Sequence, residues 1–142
     1  MEVLLDIIRS FDFDILYEIS THLRGGISDT FWKFFSLIGN AGAVWIVLAI
    51  ALLCFRKTRR AVAMLIGLLI GNVWLKEWIM RPRPFVTHPE LTALLDPGDQ
   101  WSFPSGHTLS SFAAATALCF FHRKSGALAY ILAALIAFSR LY

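Results

Sequence analysis

Apolar residues gather into long runs separated by short polar breaks, and the spacing inside each run sets the element it predicts. Over residues 2–23, Val3, Leu4, Ile7, Ile8, Phe11, Ile15, Leu16 and Ile19 recur at helical spacing. Asp6, Arg9, Asp12, Asp14 and Glu18 lie between them. As a membrane span this stretch would carry those charges into hydrocarbon at about 2.5–3.5 kcal/mol each near the centre. It therefore predicts an amphipathic helix lying at an interface, closed by Gly25-Gly26, so that residues 1–26 form one interfacial segment.

Four apolar runs follow. Residues 31–55 open on a Trp/Phe group around Lys33 and stop at Arg56, Lys57, Arg59 and Arg60. Residues 61–80 have about the twenty-residue length a bilayer needs and carry Asn72, Lys76 and Glu77 in their last turns. Arg81-Pro82-Arg83-Pro84 breaks the helix, because proline disfavours helical geometry in the residue before it. A loop then runs to Phe103, with a short helix expected over residues 89–95 and a stop at Asp96-Pro97-Gly98. Trp101 and Phe103 read as interface anchors. Residues 106–121 are rich in Ser and Ala, which allow close helix packing. His122-Arg123-Lys124 turns the chain into a last run, residues 126–142.

Composition sharpens this picture. Of 142 residues, 57% are hydrophobic and 16% charged, with mean hydropathy +0.63, less charge than a soluble domain of this length carries. The expected architecture is all-α, an integral-membrane helical bundle of about four spanning helices plus the N-terminal amphipathic helix, in a single domain. The N-terminus lacks the basic stretch and uninterrupted apolar core of a signal peptide. The net charge of +3 comes from short basic clusters between apolar runs, a membrane-topology pattern rather than a nucleic-acid-binding one. By the positive-inside rule residues 56–60 and 123–124 face the cytoplasm. Lys76, Arg81, Arg83, His107 and Arg140 then share the opposite, outer face, where cations are disfavoured and so mark a functional site. Cys54 and Cys119 lie in apolar runs without metal-type spacing.

The candidate chemistry centres on Trp101 to Ser111. Ser105 is a good N-cap for the helix that follows, and an uncapped first turn offers N–H groups and a dipole that both favour an anion. Gly106 lets an anion approach the backbone, and His107 can exchange a proton with it. Upstream, Lys76 and Arg83 frame six residues and Pro84 follows; downstream, Ser139-Arg140 lies near the end.

These residues read Lys-x6-Arg-Pro, then Pro104-Ser105-Gly106-His107, then Ser139-Arg140. The pattern resembles the type 2 phosphatidic acid phosphatase family, integral-membrane lipid phosphate phosphatases related to vanadium haloperoxidases. The family signature continues as Ser-Arg-x5-His-x3-Asp, and the resemblance covers at least Lys76 to Arg140. It implies a hydrolase acting on a lipid phosphate or diphosphate at the extracytoplasmic face of the cell membrane through a phosphohistidine. Undecaprenyl diphosphate, phosphatidylglycerol phosphate and phosphatidate all fit. Lys76, Arg83, Ser105, Gly106 and Arg140 would hold the phosphate, and His107 would be the general acid. Transferring phosphoryl groups are stabilised by such cations and N–H donors, so no metal or other cofactor is expected. Membrane lipids are the further partners expected, with no nucleic acid, and the oligomeric state is left open. Arg81 fails the six-residue spacing and reads as a headgroup or loop contact. His88, His22 and His122 read as loop or surface residues.

The third motif stops at Tyr142, before its His and Asp. The expectation is thus a truncated form of a longer phosphatase. The alternative is a catalytically incomplete fragment, or a non-catalytic membrane protein that binds anionic headgroups.

Overall fold

A computed structural model describes residues 2–39, 47, 59–95 and 100–142. Within them the chain is all-α, with no strand and one isolated bridge, Pro82 to Trp101. The helices are α1 (Glu2–Glu18), α2 (Gly26–Ile38), α3 (Arg59–Ile79), the single turn α4 (Pro84–Thr87), α5 (Gly106–Phe121) and α6 (Arg123–Ser139). A π-helical turn, Ile19–Leu23, extends α1.

Three boundaries differ from the sequence reading. Gly26 opens α2 instead of closing the segment before it. Gly25 is an extended N-cap with no side chain to offer, and the Asp29 carboxylate accepts from its N–H at 3.1 Å in its place. The short loop helix is Pro84–Thr87, not residues 89–95: Pro84 occupies a first-turn position, where its missing N–H costs nothing. Beyond that turn, Leu91 N–H closes a lone turn on the His88 carbonyl. The last helix starts at Arg123, so His122 alone joins α5 to α6. Most of residues 31–55, Cys54, Arg56 to Thr58 and the stop at Asp96-Pro97-Gly98 lie outside the described residues.

Among the described residues no helix is long and apolar enough to cross a membrane. At 1.5 Å per residue the 16 residues of α5 and 17 of α6 reach about 24–26 Å, short of a hydrocarbon core of about 30 Å. The longer α3, with 21 residues, carries charged pairs at both ends.

The core is the α5–α6 hairpin. Ala114, Ala115, Ala129, Ala133 and Ile136 are buried, with Ser110 and Ser111 beside them. Small side chains bring the two backbones together, and Gly126 marks the tightest approach: a Cβ there would stand 2.4 Å from Cys119 Cα. α2 packs on α6, where Trp32 meets Phe138 and Tyr142 at ring-centroid distances of 4.6 and 5.8 Å. α3 packs on α5. Large apolar side chains remain exposed on α3 (Ile70, Val73, Trp74, Trp78), α5 (Phe120) and α6 (Leu128, Ile131).

Candidate functional site

The site is built where α5 begins. Ser105 has extended backbone geometry and caps the helix, its Oγ accepting from Thr108 N at 3.4 Å and lying 3.1 Å from Thr108 Oγ1. Gly106 and His107 form the first turn. Asn72 of α3 packs against this turn, since a Cβ on Gly106 would stand 3.2 Å from Asn72 Nδ2.

The loop after α3 is stitched to the loop before α5. Met80 ends α3 with φ 47°, a left-handed conformation that a bulky residue rarely adopts, and so redirects the chain sharply after Lys76. Ser102 N–H then donates to the Arg81 carbonyl at 2.8 Å, and Ser102 Oγ lies 3.1 and 2.9 Å from the Arg81 and Pro82 carbonyls. This seam ties the chain that leads to Arg83 to the loop that leads to the Ser105 cap, and Lys76 lies in the last turn of α3.

Arg140 is the C-cap of α6, and its Nη1 donates to Ser36 Oγ of α2 at 2.6 Å. The Ser36 carbonyl accepts from the His107 ring. Ser36 is buried and thus fixes both the guanidinium and the imidazole. Arg140, Lys76 and Arg83 all act electrostatically on the half-buried His107. Gly39, at the end of α2, completes the enclosure: a Cβ there would stand 2.7 Å from His107 Cδ2 and from Ile136 Cγ2.

The six residues singled out in the sequence therefore come to one end of the α5–α6 hairpin. Arg81 departs from its expected role, pairing with Asp12 of α1 at 2.5 Å. His88 stacks on Phe13 at 4.3 Å and pairs with Glu90, and His22 pairs with Glu18. Ser36 and Gly39 were missed, and so was the packing role of Asn72. A lone serine on an apolar helix face gives no local signal, but Asn72 did stand out as a polar residue in an apolar run. It is buried, and its Oδ1 meets no hydrogen-bond partner among the described residues. Among those residues no group of three or more His, Cys, Asp or Glu could hold a metal ion.

Beside this cluster lies a cavity of about 120 Å³. Arg24, Trp32, Ser36, Arg83, Leu91 and Arg140 are among the residues that line it. Tyr142 closes nearby, its hydroxyl 2.6 Å from Asp29 Oδ1 and 2.9 Å from the Leu23 carbonyl. That hydroxyl, with the Gly25 N–H, holds the Asp29 carboxyl below its ordinary range.

A family model described as the PAP2 superfamily matches residues 57–142, which include Lys76, Arg83, Ser105, Gly106, His107 and Arg140. No curated protein and no solved structure matches the chain.

Proposed function

Because the chain belongs to the PAP2 superfamily, a family of phosphatases acting on lipid phosphates, we propose that it hydrolyses a lipid phosphate or diphosphate headgroup at the extracytoplasmic face of a membrane. The observation that carries this reading is the convergence of Arg140, Lys76 and Arg83 on His107 at a capped helix start. A phosphoryl group in transfer spreads negative charge over its equatorial oxygens, and preorganised cations and N–H donors are what stabilise it. Arg83 and Arg140 can each bind bidentately, Lys76 supplies a point charge, and Ser105 with the Gly106 N–H completes the cradle.

In the reaction, a nucleophile's lone pair forms a bond to phosphorus as the bond to the leaving oxygen breaks. His107 gives its proton to that oxygen. By family resemblance the nucleophile is the His of Ser-Arg-x5-His, which lies past Tyr142 in the motif. Water's oxygen then bonds to phosphorus as the phosphorus–nitrogen bond breaks, His107 takes the proton that water loses, and the nucleophilic imidazole is restored.

Membrane placement is supported by the apolar surface. Trp74 is 77% and Trp78 80% exposed on α3, a cost that lipid removes and water does not. The outward orientation is supported by the hairpin, which puts Arg123 and Lys124 at the end of α6 opposite Arg140.

The test is phosphate release from a prenyl diphosphate or phosphatidate in detergent, wild type against His107→Ala. The expected outcome is a loss of about 10²–10⁴-fold, the usual scale for a general acid. Equal release by both would overturn the catalytic role of His107, and no release by either would leave headgroup binding without turnover.

A further inference from the structure

We propose that Asn72 is a positioning residue for the phosphate site: its buried amide fixes the first turn of α5 and turns its N–H end toward the anion held there. The inference rests on the reading of Ser105 and Gly106 as part of the phosphate cradle and of His107 as the proton donor.

Three observations carry it. The first is which side chains α3 turns inward. Among the α3 side chains that are described, Asn72 is the buried one, 8% exposed, and Lys76 the half-buried one. Ile66, Ile70, Val73, Trp74 and Trp78 are exposed. Residues four apart share a helix face, and α3 packs on α5. Asn72 and Lys76 are therefore the pair with which α3 meets the site. Lys76 acts on His107, and Asn72 meets the residue before it. The second observation is a chemical mismatch. An aliphatic side chain of similar volume would fill this inward position with no polar atom to satisfy. Asn72 instead buries an amide whose Oδ1 meets no hydrogen-bond partner among the described residues. A buried acceptor without a donor costs stability, and a local rule broken in this way marks a functional demand.

The third is the direction of the amide. The first turn of a helix presents N–H donors, which by themselves favour an acceptor beside them. Yet the donor Nδ2 is the atom that stands beside Gly106, 3.2 Å from where a Cβ would be, and Oδ1 lies farther off. Donors gathered on one side of a turn suit an acceptor that they share, and a phosphoryl oxygen is such an acceptor. The amide also occupies the space that a side chain on Gly106 would take, so close packing stops the turn from rolling toward α3. Gly106 and His107 are consecutive. A turn held in place therefore sets the backbone donor and the proton donor together.

The experiment uses two variants of the full chain in detergent. Asn72→Leu keeps the volume and removes the amide, and Asn72→Asp keeps the shape and puts an acceptor where the N–H end was. Each is measured by thermal unfolding, by kcat/KM on a prenyl diphosphate and on phosphatidate, and by titration with inorganic phosphate followed by phosphorus NMR. The expected result for Asn72→Leu is a thermal midpoint raised by about 2–8 °C, because the orphaned Oδ1 is gone. With it, kcat/KM falls about 10–100-fold, the scale of a small misplacement at a reacting centre, and inorganic phosphate binds more weakly. Asn72→Asp should bind inorganic phosphate least of the three proteins. A midpoint and an activity that fall together in folded Asn72→Leu would mean that the amide only packs α3 on α5, and would overturn the proposal. Wild-type phosphate affinity in Asn72→Asp would overturn it too, since an acceptor would then serve beside Gly106 as well as a donor. An Asn72→Leu chain that does not fold leaves the decision to the phosphate titration of Asn72→Asp. If the wild type releases phosphate from neither lipid, the phosphatase reading fails, and the inorganic phosphate titration alone decides the role of Asn72. A wild type that binds no inorganic phosphate either would overturn both.

Discussion

Ser36 of α2 stands between two groups of the candidate site, Arg140 and His107. Its hydroxyl takes the Arg140 guanidinium and its carbonyl takes the His107 ring. Replacing it by alanine removes the first contact and leaves the second, because the carbonyl belongs to the backbone. A hydrogen bond to a charged group is worth about 1.5–3 kcal/mol, so Ser36→Ala should lower kcat/KM by roughly 10–100-fold. The loss should show mostly as weaker substrate binding, with the pH profile of kcat kept, since the proton donor stays anchored. Steady-state kinetics across pH on both proteins would check this. A pH profile that shifts in Ser36→Ala would mean that the imidazole had moved as well. Nothing in the sequence marked Ser36, because its partner lies 104 residues away and local periodicity carries no such information. Lys76, Arg83, Ser105, Gly106, His107 and Arg140 were legible for the opposite reason: each is tied to a proline, a cap or a fixed spacing within its own short stretch.

Helices followed from apolar periodicity wherever that pattern was uninterrupted, as in α5, whose bounds coincide with the run at 106–121. Boundaries set by tertiary contacts did not. Gly26 opens α2 because Asp29 reaches back to the N-cap, and α4 exists because Pro84 suits a first turn. The same limit hid how close α5 and α6 come. Cys119 Cα would be 2.4 Å from a Cβ on Gly126, and backbone cannot swing aside as a side chain can. Gly126→Ala should therefore force the hairpin apart and destabilise the protein by about 1–3 kcal/mol. Thermal unfolding in detergent would measure it, with Gly25→Ala as the control, since a Cβ at Gly25 meets nothing within 4 Å. Equal midpoints for the two variants would show that the helices tolerate the spread.

On the scale of the whole molecule, burial among the described residues centres on the hairpin and its contacts with α2 and α3, with Ile19 and Leu91 buried outside it, while large apolar groups cover the outside. The mean hydropathy announced an apolar chain, but hydropathy alone does not say which faces pair with protein and which are left over. Trp74 and Trp78 mark the leftover face of α3. If that face meets lipid, brominated acyl chains should quench their fluorescence strongly after reconstitution, and Trp32, stacked between Phe138 and Tyr142, should contribute little to the quenched fraction. The comparison is made in variants carrying Trp74 and Trp78 or Trp32 alone. Quenching confined to Trp32 would overturn the membrane placement of α3.

The bond from Ser36 to Arg140 also sets an order in time. A ribosome working at about 5–20 residues per second delivers the α5 start seconds before it delivers the end of α6. Through that interval Lys76, Arg83 and the Ser105 cap already exist, and Ser36 waits in α2 without its guanidinium. The bond from Ser36 to Arg140 spans 104 positions, so it cannot form until α6 has been made. A nascent chain thus holds α2 ready well before the guanidinium that docks on it exists.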